Sequence, residues 1–120
     1  MLDDRGQFVG TAAKELQEET GITVCTSELV DLVQSVSNSS GHRYPGIYMS
    51  PGGCDEYIKM YYCEKKMSMK EIDDVHNRLG GEGDHEKIRC RIIAESDLLT
   101  TVADAKALCC YALLDKIRSK

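Results

Sequence analysis

Residues 14–22 read KELQEETGI, and this stretch decides how the rest of the chain is interpreted. It ends a run, residues 11–20 (TAAKELQEET), in which residues with high helix propensity dominate. Gly21 follows the run directly, and glycine is the commonest residue just beyond the end of a helix. The stretch therefore predicts a helix over residues 11–20 that stops at Gly21.

Three acidic residues of this helix, Glu15, Glu18 and Glu19, stand at positions i, i+3 and i+4. That spacing places their carboxylates on one helix face, where they repel one another. A hard divalent cation would turn this repulsion into binding, since Mg²⁺ prefers oxygen ligands. A solvated acidic face without any ligand is the alternative for this pattern taken alone.

The pattern around these glutamates resembles the second half of the Nudix box, G-x5-E-x7-R-E-U-x-E-E-x-G-U, where U is a bulky aliphatic residue. Two positions depart from it: Lys14 replaces the arginine, and Gly6 stands where the box has its first glutamate. The box glycine would fall one position before Met1. The lysine keeps a positive charge but loses the planar fork of arginine.

The resemblance implies that Glu15, Glu18 and Glu19 hold divalent cations, with Mg²⁺ the expected ion and Mn²⁺ the alternative. It extends downstream, where residues 50–56 (SPGGCDE) resemble the S-P-G-x-x-x-E segment of the ADP-ribose and ADP-sugar pyrophosphatase branch. Residues 79–88 (LGGEGDHEKI) and 102–106 (VADAK) are also similar to segments of that branch. The likeness is closest to plant-type nucleoside diphosphate sugar hydrolases.

The same resemblance suggests substrate-binding roles for Gly52, Gly53 and Glu56. For the two glycines the alternative is a plain turn after Pro51. Cys54 beside them is not expected to act as a nucleophile, because the sequence places no base for it.

In the resembled branch, an acidic loop before a strand supplies the catalytic base. Glu86 is the first candidate here and Asp84 the next, with Glu18 beside the metal ligands. The alternative for Glu86 is a solvent-exposed acid in a loop. In another loop, Arg43 could hold a phosphate and Tyr44 could stack on a base.

Composition excludes several classes of protein. The net charge is −5, whereas nucleic-acid-binding surfaces are usually basic. No apolar stretch approaches the ~20 residues of a membrane span, and charged residues at positions 3–5 interrupt any signal peptide.

The six cysteines contain no C-x-x-C pair and are expected to be reduced and in the core. We expect an intracellular, cytoplasmic protein, with organelle targeting left open because the N-terminus looks cut.

The remaining elements follow from periodicity and turn residues. The sequence predicts loops at residues 6–10, 37–53 and 80–84; an extended segment at 22–25; strands at 29–36, 47–49, 56–64 and 87–94; a short helix within 68–79 with a Ser68–Glu71 capping box; and an amphipathic helix at 102–118.

This order of elements predicts the α+β class. The Nudix resemblance implies an α/β/α sandwich, with a mixed sheet flanked by the Nudix helix and the C-terminal helix, and without the usual N-terminal strands. We expect residues 1–120 to form a single, partial domain. A sheet with exposed edges favours pairing with a second copy, so a homodimer is expected.

The expected function is Mg²⁺-dependent hydrolysis of the pyrophosphate bond of a nucleoside diphosphate sugar, such as ADP-ribose, ADP-glucose or UDP-glucose, to a nucleoside monophosphate and a sugar phosphate. The expected partner is this small molecule, not nucleic acid or a membrane. A non-catalytic, Nudix-like nucleotide-binding or scaffold module is the alternative, and an acidic domain that responds to Ca²⁺ or Mg²⁺ is a third.

Overall fold

The computed structural model describes residues 5–40, 46–81 and 87–119, and the side chains of residues 5–7 and 38–40 are outside this description. The chain divides into two compact units. Unit 1 comprises the described residues of Met1–Leu29 and Cys63–Glu95, and unit 2 those of Val30–Tyr62 and Ser96–Lys120. Each unit is described by itself below.

In chain order, the described residues form α1 (Arg5–Thr20), β1 (Val30–Asp31), α2 (Leu32–Ser40), β2 (Ile47–Tyr48), β3 (Tyr57–Ile58), β4 (Tyr61–Tyr62), α3 (Met69–Val75), β5 (Leu79–Gly80), β6 (Ile88–Arg89), α4 (Leu98–Thr101) and α5 (Ala105–Arg118). Single turns of 3₁₀ helix occur at Thr26–Glu28 and Glu95–Asp97. This mixture confirms the predicted α+β class.

The described strands pair as three two-stranded antiparallel sheets rather than as one mixed sheet. Unit 2 contains β1 with β4, where Val30 is opposite Tyr62, and β2 with β3, where Ile47 is opposite Ile58. Unit 1 contains β5 with β6, where Gly80 is opposite Ile88. Two-stranded sheets this short are stabilised mainly by the side chains and helices that pack against them.

In unit 1, α3 begins with the predicted capping box. The Glu71 backbone N–H donates to the Ser68 hydroxyl at 3.2 Å, and the Ser68 N–H donates to the Glu71 carboxylate at 2.9 Å. These two bonds satisfy backbone donors that no helical carbonyl can reach. Val75 at the end of α3 is buried, as are Val24 and Cys90 of the same unit.

In unit 2, α2 packs against α5 and supplies most of the core. Leu32 and Val33 are 1% and 0% exposed, so each contributes about 2 kcal/mol through burial. Ser37 is also fully buried, and its hydroxyl donates to the Gln34 carbonyl at 3.3 Å. Asp104 is the N-cap of α5, and its carboxylate accepts the Lys106 N–H at 3.0 Å.

Several element predictions were wrong in extent or kind. Residues 6–10, predicted as a loop, are the first turns of α1, and most of the strand predicted at 29–36 is α2. The strand predicted at 56–64 is divided into β3 and β4, and the one at 87–94 is reduced to β6. The last helix starts at 105 instead of 102.

The cysteines are all free. The expectation that they lie in the core is wrong for Cys25 and Cys54, which are exposed, and correct for Cys90, which is buried. The other three are half-buried.

Candidate active site

The C-terminal end of α1 carries the glutamates that the sequence singles out. The helix stops where predicted, because Gly21 adopts a φ of 78°, which is strained for any residue with a side chain. The Gly21 N–H donates to the Gln17 carbonyl at 2.8 Å, and the Thr20 hydroxyl donates to the Leu16 carbonyl at 2.6 Å. Together, these two bonds and the φ of Gly21 fix the direction in which the chain leaves α1.

Two bonds from elsewhere in unit 1 hold this helix end. The Gly81 N–H donates to the Glu18 carbonyl at 3.1 Å, and the Cys90 thiol donates to the Glu19 carbonyl at 3.0 Å. Carbonyls in the last turn of a helix have no partner within the helix, so these contacts satisfy groups that would otherwise be left to water.

The backbone of β5 approaches α1 too closely for a side chain at position 80. A Cβ added to Gly80 would lie 2.8 Å from the Glu18 carbonyl oxygen and closer still to that of Glu19. The Gly80–Gly81 pair therefore allows main chain to pack on main chain at the helix end. Gly80 was predicted to lie in a flexible loop, and that prediction was wrong.

The glutamate side chains differ in exposure. Glu15 is exposed, whereas Glu18 and Glu19 are half-buried. The Lys14 ammonium lies 3.8 Å from the Glu18 carboxylate, but the lysine side chain is 70% exposed, so this pair contributes little. Glu18 and Glu19 lie in the last turn of α1, at the negative end of the helix dipole, which adds to the repulsion between the carboxylates and favours a cation.

Within the described parts of the chain, no group of three His, Cys, Asp or Glu side chains is arranged to hold a metal ion. The donor chemistry at the helix end nevertheless suits Mg²⁺, which usually takes one or two protein carboxylates and fills its other positions with water and phosphate oxygens. Two glutamates of α1 are enough for that mode of binding.

In unit 2, the Ser50–Cys54 segment forms a closed turn. The N–H groups of Gly53 and Cys54 both donate to the Ser50 carbonyl, at 2.9 and 2.8 Å. A Cβ added to Gly52 would meet nothing within 4 Å, and its φ is not positive, so neither packing nor backbone strain requires glycine there. Glu56 follows the turn, exposed, directly before β3.

The candidate residues are thus distributed over both units. Unit 1 carries Glu15, Glu18 and Glu19, and unit 2 carries Gly52, Gly53 and Glu56. The remaining candidates lie outside the described residues: Arg43, Tyr44, Asp84 and Glu86.

Sequence reasoning missed the residues that hold the helix end, Gly80, Gly81 and Cys90. The adjacent glycines just before an acidic segment were the signal for the first two, since paired glycines often mark a close backbone approach. Nothing in the sequence pattern marks Cys90, because a thiol in a strand is usually an ordinary apolar residue.

Over 114 residues the chain is 36% identical to Nudix hydrolase 14, chloroplastic, of Arabidopsis thaliana. This similarity supports the Nudix family. The alignment covers 94% of this chain and 36% of the relative, so the chain spans about a third of the length of that Nudix hydrolase. No family model matches the chain, and no solved structure matches it.

The end of α1 lies at Gly21, where the sequence pattern predicted it. Nudix hydrolases generally use a divalent cation such as Mg²⁺. Among the described helices, none is long and apolar enough to cross a membrane.

Proposed function

We propose that this chain is part of a Nudix hydrolase that uses Mg²⁺ to cleave the pyrophosphate bond of a nucleoside diphosphate sugar, giving a nucleoside monophosphate and a sugar phosphate. The observation that carries the proposal is the end of α1, where the glutamates of a Nudix-type pattern lie on a helix whose last carbonyls are held by Gly81 and Cys90. The similarity to a plant Nudix hydrolase supports the general activity.

The proposed ligands for the cation are Glu15, Glu18 and Glu19, with Mn²⁺ as a substitute for Mg²⁺. When bound, the cation would stabilise negative charge on phosphate oxygens and lower the pKa of a water molecule. The role of α1 is to fix its carboxylates in position before the substrate arrives, which lowers the cost of reorganisation during the reaction. The contacts at its C-terminal end support this role.

The proposed base is Glu86, then Asp84, with Glu18 beside the metal. In support, the segment that contains Glu86 and Asp84 starts directly after Gly81, whose N–H is bonded to the Glu18 carbonyl, and it ends just before β6, which pairs with β5. Both ends of the acidic segment are therefore joined to strands packed at the end of α1.

The proposed substrate contacts are Gly52, Gly53 and Glu56 in the turn of unit 2, and Arg43 and Tyr44. Gly52 supports this proposal, because neither packing nor strain explains a glycine at that position. An exposed backbone without a side chain allows a phosphate or a sugar to approach closely.

The test is release of monophosphate from ADP-ribose, ADP-glucose and UDP-glucose with Mg²⁺. Glu19→Gln is the test variant, and Asp73→Asn, which neutralises an exposed carboxylate on α3, is the matched control. We expect Mg²⁺-dependent turnover that falls about 100-fold or more in Glu19→Gln, the scale of losing one electrostatic group at a reacting centre. Turnover that is equal in both variants would reject the proposed role of the glutamates.

A second candidate is a non-catalytic nucleotide-binding or scaffold module. It is favoured by Gly6, which has no side chain where the box has a glutamate. This candidate predicts that ADP-ribose raises the unfolding temperature, since a ligand that binds only the folded state stabilises it, while no monophosphate is released. Stabilisation by Mg²⁺ but not by ADP-ribose would instead point to an acidic metal-responsive domain.

We further propose a homodimer and an intracellular location, in the cytoplasm or an organelle. The dimer is supported by the two-stranded sheets of unit 2, in which each strand pairs with a single other strand among the described residues and leaves its second edge for pairing with another chain. Sedimentation equilibrium measures this directly, and a mass of one chain across the micromolar range would reject the dimer.

A further inference from the structure

Unit 1 contains a cleft of about 350 Å³ between the residues that follow α1, the segment before α3, and α3 itself. Its volume is near the lower end of the range for small-molecule sites. None of the glutamates proposed as metal ligands lines it. The cleft is therefore distinct from the candidate active site, although both lie at the C-terminal end of α1.

Two cationic side chains, Lys65 and Arg78, line this cleft. The Lys65 ammonium donates to the Thr23 carbonyl at 2.8 Å and lies 3.4 Å from the Glu28 carboxylate. These contacts place one positive charge at the wall and leave it only partly neutralised, because the ion pair with Glu28 is exposed to solvent.

Arg78 lies against Gly21, where its guanidinium occupies the space that a side chain would fill. The guanidinium carbon is 2.8 Å, and Nε 3.0 Å, from the position of an added Cβ. Among the described residues, no hydrogen bond or ion pair joins this guanidinium to a partner. Packing on the Gly21 backbone thus positions a guanidinium that has no carboxylate partner in the described part of the chain.

Two acidic residues, Glu71 and Asp74, also line the cleft. The Glu71 carboxylate accepts the Ser68 N–H, and Asp74 lies 3.5 Å from the Lys70 ammonium on the same helix. Apolar side chains, among them Met67 and Val75, supply the other walls. The Asp74–Lys70 pair is exposed, so it neutralises Asp74 only in part, as Glu28 does Lys65. Among the described residues, the guanidinium of Arg78 is therefore the charged group of the cleft without a hydrogen-bond or ion-pair partner.

We propose that this cleft binds a small organic anion through its carboxylate or phosphate group. Arginine presents a planar fork that matches either group with two parallel hydrogen bonds. Lys65 adds positive charge at the wall, and the apolar side chains cover a short carbon skeleton. This site goes beyond the proposed hydrolysis and does not depend on it.

The experiment is calorimetric titration of the 120-residue chain, in buffer freed of metal ions by a chelating resin. Glycerol 3-phosphate is the phosphate probe, and succinate is the carboxylate probe. We expect saturable binding of at least one probe, with affinity reduced tenfold or more in Arg78→Ala and also reduced in Arg78→Lys, which keeps the charge but loses the fork. If Arg78→Ala fails to fold, Arg78→Lys decides.

Two controls separate this site from the rest of the molecule. Arg91→Ala removes an exposed arginine of unit 1 that does not line the cleft, and Glu19→Gln alters the candidate metal site; both are expected to bind as tightly as the unaltered chain. Binding of one probe alone identifies the group recognised. Equal affinity in Arg78→Ala, loss of binding in Glu19→Gln, or no saturable binding of either probe overturns the proposal, whatever the outcome of the hydrolase assay.

Discussion

Replacing Gly80 with alanine tests the contact on which the candidate active site depends. The new Cβ would lie 2.8 Å from the Glu18 carbonyl oxygen and closer to that of Glu19, and both neighbours are backbone atoms that cannot rotate away. Either β5 or the last turn of α1 must move. Forcing an extra carbon into a packed contact costs about 1–3 kcal/mol.

The movement has a second cost. If β5 retreats from α1, the bond from the Gly81 N–H to the Glu18 carbonyl is lost, which adds about 1 kcal/mol. The total loss of unfolding free energy is then about 2–4 kcal/mol, and the unfolding temperature of a chain this size falls by roughly 10 °C. Alanine is no worse than glycine in a strand, so the expected loss comes from the close approach alone.

Gly10→Ala is the matched control. Gly10 also lies in unit 1, inside α1, and an added Cβ there meets nothing within 4 Å. In a helix interior this change stabilises by about 0.5–1 kcal/mol, the opposite sign from Gly80→Ala. Urea and thermal unfolding followed by circular dichroism measure both variants. A Gly80→Ala protein as stable as the unaltered chain would refute the close approach between β5 and α1.

Three further experiments, two with substitutions and one with chemical labelling, test other parts of the fold. Ser68→Ala removes the N-cap of α3 and is expected to lower the unfolding free energy by about 1 kcal/mol in urea titrations; no change would contradict the capping box. Hydrogen bonds from the Ser68 backbone and side chain lower the pKa of Glu71 below its ordinary value of 4.5, so its stabilising effect is full above pH 4.5 and lost as the pH falls through the lowered pKa. The stability difference between the unaltered chain and Glu71→Gln should therefore shrink below pH 4.5, and a difference that grows would reject this sign. Burial raises the pKa of the Cys110 thiol, so iodoacetamide at pH 8 should alkylate the exposed Cys25 and Cys54 first, as peptide mass spectrometry would show.

The elements that local chemistry determines were predicted well. The stop of α1 at Gly21 and the capping box at the start of α3 each depend on residues within four positions of one another. Both predictions were confirmed. Local hydrogen bonding decides such ends regardless of the rest of the fold.

The start of α2 shows a signal that was present and misread. The alternation of apolar residues in 29–36 predicted a strand, but the Asp31 carboxylate accepts the Gln34 N–H at 3.0 Å, as a helix N-cap does. An aspartate followed three positions later by glutamine is a known signature of a helix start. Leu32 and Val33, which are adjacent in sequence, are both buried at the start of α2. Alternation of apolar and polar residues predicts which side chains a strand buries, but it does not apply to a helix.

The extension of α1 over residues 6–10 could not be predicted from propensity. Each glycine in a helix costs about 1 kcal/mol relative to alanine, which favours a loop. Once the strong run at 11–20 has nucleated the helix, however, each added residue needs only its own hydrogen bond. Cooperativity along the helix outweighs the local preference.

The candidate site was predictable only in part. The sequence placed Glu15, Glu18 and Glu19 on a single helix, and the structure confirms that placement. Their roles as ligands, and those of Asp84 and Glu86 as acids, stay predictions. The end of α1 is held by Gly81 and Cys90. Contacts between residues so far apart in sequence produce no periodic pattern of residue types from which they could be predicted.

That last contact also has a consequence for how the molecule is made. The Cys90 thiol and the Glu19 carbonyl are 71 residues apart in sequence. A ribosome that has just released α1 must add all of the intervening chain before either the thiol or the paired strands can reach it, and closing so long a loop is slow compared with forming a helix. The end of α1 therefore stays open to water until the segment that contains Gly81 and Cys90 has been translated.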